Sequence, residues 1–404
     1  MFPFLKNNKQ YIVIDAGSHK IAAISFQIIG NKPIVNRIEH HKSKGIKNNK
    51  LIDINEFSSV IKLLINKVGN KTMKKDFFCN ITDPNLLIKK KKTDINSGKL
   101  GISKKEVRKI YRKSLNEAIE KNKYLVHSNP NNFILDEKTV THDPLGKKCN
   151  TLSLLSYNIF VNNFYIENLN SSFKKNKIKI TKFFESGIAS SISSLSIEEK
   201  NEGVVCIDIG GNTTKIVVYL ENNIIFVENL KLAGNDVTSD LSHGLQISEE
   251  MAELTKIMYG SVVSPFNEDI EINLDSRKKK VVNKNLIYGI IKPRYDEILE
   301  IVRDKVFDNI NARIAIKSIV LTGGASKIFG IKNICENIFN RKTRVVKNFS
   351  GNNSLRDRPE FSTTFGMIKL VNQFRLYKPV PRFSNNQVTK IIDKIDNWIE
   401  ESYA

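Results

Sequence analysis

An α/β fold with an anion-binding site between two facing turns is predicted by two widely separated hairpin patterns and one strand-to-helix turn. Val13 to Ile21 reads VIDAGSHKI, and Val204 to Tyr219 reads VVCIDIGGNTTKIVVY. Each is an apolar run ending in an Asp, then a tight Gly turn with a hydroxyl residue, then a second apolar run. That pattern is a β-hairpin whose tip carries an acid, a glycine and hydroxyl donors. Glycine lets the backbone come close to a phosphate because no Cβ intervenes. Ser18, Thr213, Thr214 and the turn N–H groups supply hydrogen bonds, and Asp15 and Asp208 suit a hydrated Mg²⁺. One such hairpin is ordinary turn chemistry; two facing ones suggest a clamp on the phosphates of ATP. The third observation is Ser318 to Ile331, SIVLTGGASKIFGI. It reads as a strand, then Gly323, Gly324, Ala325 and Ser326, then a helix, where small residues admit a flat ring such as adenine. By itself it is equally an ordinary strand-to-helix turn.

The remaining elements follow in order. Residues 11–28 form two strands around the first turn. Asn55 to Val68 is a helix with Phe57, Val60, Ile61, Leu64 and Ile65 on one face. The pattern changes between about 86 and 163. A basic helix opens there at Ser103 with a capping box closed by Glu106, and its apolar stripe is Val107, Ile110, Tyr111, Leu115 and Ile119. Short strands are expected at Asn132 to Leu135, Thr151 to Leu155 and Asn158 to Val161, an inserted α/β unit without a catalytic constellation. The first pattern resumes at Gly203. Ser248 caps a helix running to Gly260, with Glu249 and Glu250 in its positive first turn. Glu253 and Lys256 stand three apart on one helical face and reach one ligand together. Taken alone, they read better as a surface ion pair worth under about 1 kcal/mol. Asp296 to Val306 continues a helix begun near Pro293.

Composition narrows the function. The 404 residues imply two to four structural units. A charge of +22, from 64 basic and 42 acidic residues, raises the question of nucleic acid. The lysines are scattered, however, and come with abundant Asn and Ile, as a codon bias towards A and T produces. No RNA-recognition, zinc-finger or helix-turn-helix signature accompanies them, so no nucleic-acid partner is expected. Two runs, Lys89 to Lys92 and Arg277 to Lys280, read as solvated loops. Cys79, Cys149, Cys206 and Cys335 form no CxxC pair, and the six histidines lack ligand spacing. The N-terminus does not read as a signal peptide and no membrane-spanning apolar run occurs, which predicts a reduced, cytosolic chain.

The order of motifs resembles the actin, Hsp70 and sugar-kinase superfamily. Within it the chain is similar to the bacterial cell-division FtsA family over essentially its whole length. The matching stretches are ESGIASSISSL before GVVCIDIGGNTTKI, LAGNDVTSDLSHGLQISEEMAELTKIMYG, IIKPRYDEILEIVRDKV, and HDPLGKKCNTLSL within the inserted unit. The resemblance implies an actin-like two-lobed ATPase fold with duplicated RNase H-like subdomains and an FtsA-type insertion. Residues 1–85 and 164–202 would form subdomain 1A, 86–163 the inserted subdomain 1C, and 203–229 with 303–377 subdomain 2A. Residues 230–302 would form subdomain 2B, 378–387 a linker, and 388–404 an amphipathic membrane-targeting helix.

Carried over by position, Asp15, Gly17 and Ser18 with Lys20 would form the first phosphate loop. Asp208, Gly210, Gly211, Asn212, Thr213, Thr214 and Lys215 would form the second. Gly234 and Asn235 would lie by sugar and phosphates, Glu253 and Lys256 at ribose and adenine, and Gly323, Gly324, Ala325 and Ser326 under the base. Glu185 falls where relatives place a polar residue near the attacking water, and Asp15 and Asp208 would hold Mg²⁺ through water. Two positions depart from the family: Asn212 stands for a third Gly, and Lys215 for an Asp. A Lys there adds attraction for a triphosphate and removes a carboxylate, so ATP binding with at most slow hydrolysis is expected.

The chain ends in an apolar face at helical spacing: Val388, Ile391, Ile392, Ile395, Trp398 and Ile399, after the Pro- and Asn-containing segment Lys378 to Gln387. Lying in a membrane interface, with Trp398 at headgroup depth, suits it better than packing on the body. Six apolar side chains contribute about 10 kcal/mol gross. Ordering roughly a dozen residues at about 1 kcal/mol or more each removes most of that. Lys390 and Lys394 are outnumbered by Asp393, Asp396, Glu400 and Glu401, so charge adds little. One tail therefore binds weakly, whereas a filament carrying many tails holds firmly.

By this resemblance the protein would polymerise on the cytoplasmic face of the bacterial membrane at the division site and tether FtsZ filaments there. The FtsZ C-terminal peptide would dock on 230–302, met by Arg277, Lys278, Lys279, Lys280 and Lys284, and 86–163 would recruit later division proteins. A pilus-type adaptor and an ATP-dependent small-molecule kinase of the same fold are the alternatives. No substrate-pocket acid marks the kinase, and no peptide-binding region marks an Hsp70-like chaperone.

Overall fold

The computed structural model describes residues 9–47, 50–83, 85–98, 101–273, 279–309, 316–347 and 358–376. The linker 378–387, the tail from Val388 to Ile399 and beyond, and Arg277 and Lys278 lie outside them.

Two five-stranded sheets repeat one topology. The first runs Lys32–Lys42, Lys20–Ile29, Lys9–Ala16, Lys74–Ile81, Ile180–Glu185 across the sheet. The second runs Asn223–Leu230, Thr214–Leu220, Val204–Ile209, Ser318–Thr322, Lys342–Val345. In both, an antiparallel three-strand meander leads to two parallel strands reached by crossovers. Val204–Ile209 is buried along its whole length, as a central strand covered on both faces must be. Lys32–Lys42 is largely exposed and carries charges that blunt a sheet edge.

Helices cover the outer faces. Helix Ile54–Val68, capped by Asp53, packs Phe57, Val60, Ile61 and Leu64 against the first sheet, together with helix Asn163–Lys174. On the second sheet, helices Gly234–Leu245, Lys284–Asn309 and Ile331–Phe339 share one core. Helix Glu249–Tyr259 and the hairpin Asp269–Asn273 with Lys279–Asn283 flank it.

The inserted unit is a four-stranded sheet of Leu87–Asn96, Thr151–Asn162, Lys123–Leu135 and Thr139–Thr141, covered by helix Lys104–Glu117. Ser103 and Glu106 form the expected capping box. Backbone N–H groups of Ser103 and Gly98 hold the Glu106 carboxyl down to about 2. Several local expectations change. Ile119 lies beyond the helix and is exposed. Thr151 to Leu155 and Asn158 to Val161 are one strand, interrupted by a bulge between Leu155 and Ser156 that breaks the alternation. Lys89 to Lys92 form part of a strand rather than a loop, with Lys89, Lys91 and Lys92 paired to Glu120, Glu117 and Glu137. Lys279 and Lys280 likewise begin a strand. The helix expected near Pro293 starts at Lys284 and carries the proline inside it. The insert docks on the second lobe: the Val227 N–H donates to Tyr157 Oη (3.2 Å) and Asn131 Nδ2 to the Ile224 carbonyl (2.9 Å).

Two helices are exchanged between the lobes. Ser186–Ser194 follows the last strand of the first sheet, yet Ile188 packs into the core of the second beside Val204, Cys206 and Val217. Ser362–Leu376 follows the second sheet, yet Met367, Ile368 and Val371 pack on the first beside Tyr11, Val13, Phe26 and Phe78. The expected division, which gave 303–377 to the second lobe, therefore misplaces 362–376. The two helices lie between the sheets and touch backbone to backbone. The first is built from small residues whose hydroxyls bond locally: Ser190 to the Gly187 carbonyl, Ser191 to that of Ile188, Ser193 to those of Ser190 and Ser362. All four cysteines are free thiols and buried.

A Cβ added at Gly366 would lie 1.6 Å from the Ala189 carbonyl oxygen. Gly366→Ala should therefore destabilise the chain by about 1–3 kcal/mol or more, through forced separation of the helices. Thermal unfolding checks this, and an unchanged midpoint would show that the crossing relaxes freely.

Candidate functional site

The two hairpin turns meet across the gap between the lobes. The first closes through the Gly17 N–H to the Lys20 carbonyl (3.1 Å) and the second through the Gly210 N–H to the Thr213 carbonyl (3.0 Å). A Cβ at Gly211 would sit 3.3 Å from the Cβ of His19, so the tips face each other at contact distance. Helix Gly234–Leu245 begins against the second tip. Its Gly234 N–H donates to the Gly210 carbonyl (3.1 Å), its Asn235 N–H to that of Gly211 (2.7 Å), and the Asn235 and Asn212 side chains bond each other.

Between the tips lies a cavity of about 610 Å³. Its wall includes Asp15, Gly17, Ser18, Lys20, Asp208, Gly210, Gly211, Asn212, Thr213 and Lys215. Gly234, Asn235, Glu253, Lys256, Gly323, Gly324 and Ala325 complete the expected set. Three expected residues stand behind the wall. Thr214 donates to the Leu232 carbonyl (2.7 Å), and Ser326 to that of Gly323 (2.7 Å). Glu185 is fully buried and caps helix Ser186–Ser194, its Oε2 accepting from the Ile188 N–H (2.7 Å). Burial raises its carboxyl. It is a helix cap, without the access to the cavity that a water-positioning group requires.

One end of the cavity is apolar and the other charged. Tyr295, Ile257, Met258, Ile328 and Phe329 line the end beside Gly323 to Ala325. The Tyr295 hydroxyl donates to the Ala325 carbonyl (2.8 Å), pinning that shelf. Gly323 has φ +89°, and a Cβ there would lie 2.4 Å from Asp208 Oδ1, so only glycine joins shelf to acid. Lys256 donates to Glu253 (2.6 Å), the Gly234 carbonyl (2.8 Å) and Thr238 (2.7 Å), which ties its helix to helix Gly234–Leu245. The pair is thus largely buried. Burial raises the Glu253 carboxyl, but Lys256 outweighs it and holds the carboxyl below its ordinary value.

At the charged end, Asp15 accepts from Asn80 Nδ2 (2.7 Å) and lies near the Thr364 hydroxyl (3.4 Å). Burial raises its carboxyl against the opposing pull of Lys20 and Lys215. The Lys20 ammonium is buried without a hydrogen bond, 3.4 Å from the centroid of the Phe361 ring. Burial pushes it down to about 8, with Asp15 and Glu360 opposing. A desolvated ammonium against a glycine turn is a receptor for an anion. The two acids do not suit the expected Mg²⁺, because Asp208 Oδ2 is engaged by Lys215 Nζ at 3.2 Å and Asp15 by Asn80. Sequence reasoning missed the wall contributed by Asn80, Thr82, His40, Lys327 and Arg358 to Phe361. Only Pro359, at the start of a helical turn, gave a signal for the last of these.

A duplicated sheet topology with facing turns over one cleft defines an actin-like fold. The solved PilM of a type IV pilus PilM–PilN complex shares it with a TM-score of 0.65, at 14% identity, over 90% of this chain and 98% of that one. MreB5 of Spiroplasma citri bound to ADP matches at 0.55 and 14%, and a MamK double helical filament at 0.54 and 11%, with the same coverage. In sequence, the family model described as cell division protein FtsA matches residues 205–366. The FtsA of Rhizobium meliloti is 27% identical over 85% of this chain and 79% of its own length. That of Buchnera aphidicola from Schizaphis graminum is 25% identical over 98% and 99%. The chain is thus similar to the cell division protein FtsA over nearly its whole length, as the motif order indicated.

An anionic ligand that meets Lys20 binds its protonated form. Affinity for such a ligand should therefore be constant up to about pH 8 and fall above it, by up to about tenfold per pH unit. Lys20→Met should weaken binding and abolish that slope. Calorimetry across pH checks both, and a slope that survives the substitution would reassign it.

Proposed function

We propose that the chain is an ATP-binding, actin-like cell-division protein that polymerises on the cytoplasmic membrane and tethers FtsZ filaments to it. The cavity carries the reading. It joins two glycine turns and a buried, unbonded ammonium to an apolar shelf, the two chemistries of a nucleotide, in a chain similar to FtsA along its length. Gly17, Ser18, Lys20, Gly210, Gly211, Asn212 and Thr213 would receive phosphates. Gly234, Asn235, Glu253 and Lys256 would flank the sugar, and Gly323 to Ala325 would underlie the base. Because ligand groups come from both lobes, bound ATP would add RT ln(1 + [L]/Kd) to the closed form. The arrangement favours ATP as a structural ligand over fast turnover, since Glu185 is committed to a helix cap.

The filament solved for MamK, which shares the fold, supports self-association. Membrane attachment rests on the apolar face from Val388 to Ile399. The FtsZ peptide would dock at 230–302. Of the basic residues there, Lys279 pairs with Glu271, Lys284 with Glu268, and Lys280 with the Leu245 carbonyl. Exposed ion pairs are worth about 0–1 kcal/mol and exchange readily for an acidic peptide. The inserted unit would recruit later division proteins.

Liposome sedimentation with FtsZ, GTP and ATP tests the tether. FtsZ should pellet with lipid in the presence of the full-length chain and not with a chain ending at Arg382. FtsZ remaining in the supernatant with both would refute tethering. Lys279→Glu combined with Lys284→Glu should weaken binding of the FtsZ C-terminal peptide about tenfold or more, measured by fluorescence anisotropy. Unchanged affinity would move the docking site elsewhere.

A further inference from the structure

Lys215 stands directly across the second hairpin from Asp208, its register partner. Its ammonium lies 3.2 Å from Asp208 Oδ2, with only 9% and 5% of the two side chains exposed. Asp15 and Glu185, both buried, act on the same ammonium. A buried ion pair is stabilising only when its geometry and surroundings are complete, and removing one partner is costly. The ammonium is therefore a fixed feature of the wall that Lys215 shares with Asp15, Asp208 and Ser18.

Its position is that of a counter-ion. A divalent cation entering beside Asp208 would meet a like charge within a few ångströms, in a region where water screens poorly. It would also find Asp208 Oδ2 taken. Among the described residues no group of three or more His, Cys, Asp or Glu side chains is placed to hold a metal ion.

We propose that the Lys215 ammonium, held by Asp208, takes the place of the divalent cation, so that this chain binds a nucleoside triphosphate without magnesium. The inference rests on the reading of the cleft as a nucleotide site. Lys20 from the first hairpin and Lys215 from the second then neutralise the phosphates from opposite lobes. A lysine is a compact point charge with three donors, well suited to bind phosphate oxygens. It does not reproduce the octahedral ordering of oxygens that magnesium imposes.

Titration of the full-length chain with ATP by calorimetry, in magnesium and in excess EDTA, decides the matter. The dissociation constants should agree within about threefold. A loss of more than about tenfold in EDTA would overturn the proposal while leaving the nucleotide site standing. Absence of binding in both media would overturn the nucleotide reading and this inference together. Lys215→Asp should create a metal requirement, with binding weakened at least about tenfold in EDTA and recovered in magnesium. Lys215→Met, which keeps the side-chain length and removes the charge, should lose affinity in both media and serves where the Asp variant does not fold. Full affinity of either variant in EDTA would overturn the proposal.

Discussion

The backbone contact between Ala189 and Gly366 is the constraint on which the rest depends. Each sheet has an inner apolar face, and the helix that covers it comes from the end of the other lobe. Neither lobe is complete by itself: Met367, Ile368 and Val371 close the first core, and Ile188 enters the second. The helices cross at the only distance a glycine allows. That fixes the spacing between the sheets, and hence the facing of the two glycine turns at His19 and Gly211. A cleft with contact-distance walls follows from the packing of two helices of which only Thr363 reaches its wall.

The charges in the cleft follow a different logic from those on the surface. Asp15, Lys20, Asp208 and Lys215 are desolvated at a cost that no fold requires, and their environments pull them unequally. Lys215 is held charged by its acids, whereas Lys20 rests on an aromatic face without a hydrogen bond. Such an imbalance is the expected condition of a site that awaits an anion. Glu185 shows the contrary case. It is buried, and burial raises its carboxyl, yet its oxygens serve the Ile188 N–H and Asn229. Perturbation alone does not make a functional group; access to the cavity does.

Much of this was legible in the residues. Both hairpin turns could be read because Asp, Gly and hydroxyl residues interrupt strict apolar runs, and local chemistry determines such turns. The inserted unit was visible from its capping box and changed composition. What escaped was tertiary. The helix Ser362–Leu376 has an apolar face, but periodicity does not say which sheet it covers. The pattern puts a helix start near Pro293, because proline favours the first turn, whereas packing of Ile287 and Ile291 extends the helix upstream of it. Arg358 to Phe361 form too short a turn to carry a period, and only folding brings Phe361 beneath Lys20. Lys256 illustrates the same limit: its spacing from Glu253 was evident, while its hold on Gly234 was not.

The helix Ser186–Ser194 has a mechanical consequence. Large interlocking side chains would make the seam between the lobes a ratchet, with discrete positions separated by steric barriers. Serine and glycine instead present a nearly smooth cylinder whose hydroxyls are mostly satisfied by their own helix. Across that seam the Ser193 hydroxyl bonds the Ser362 carbonyl (2.7 Å) and Ile188 is the side chain that keys into the second core. A ligand gripped from both lobes would add its own contacts to this seam and resist any shear along it.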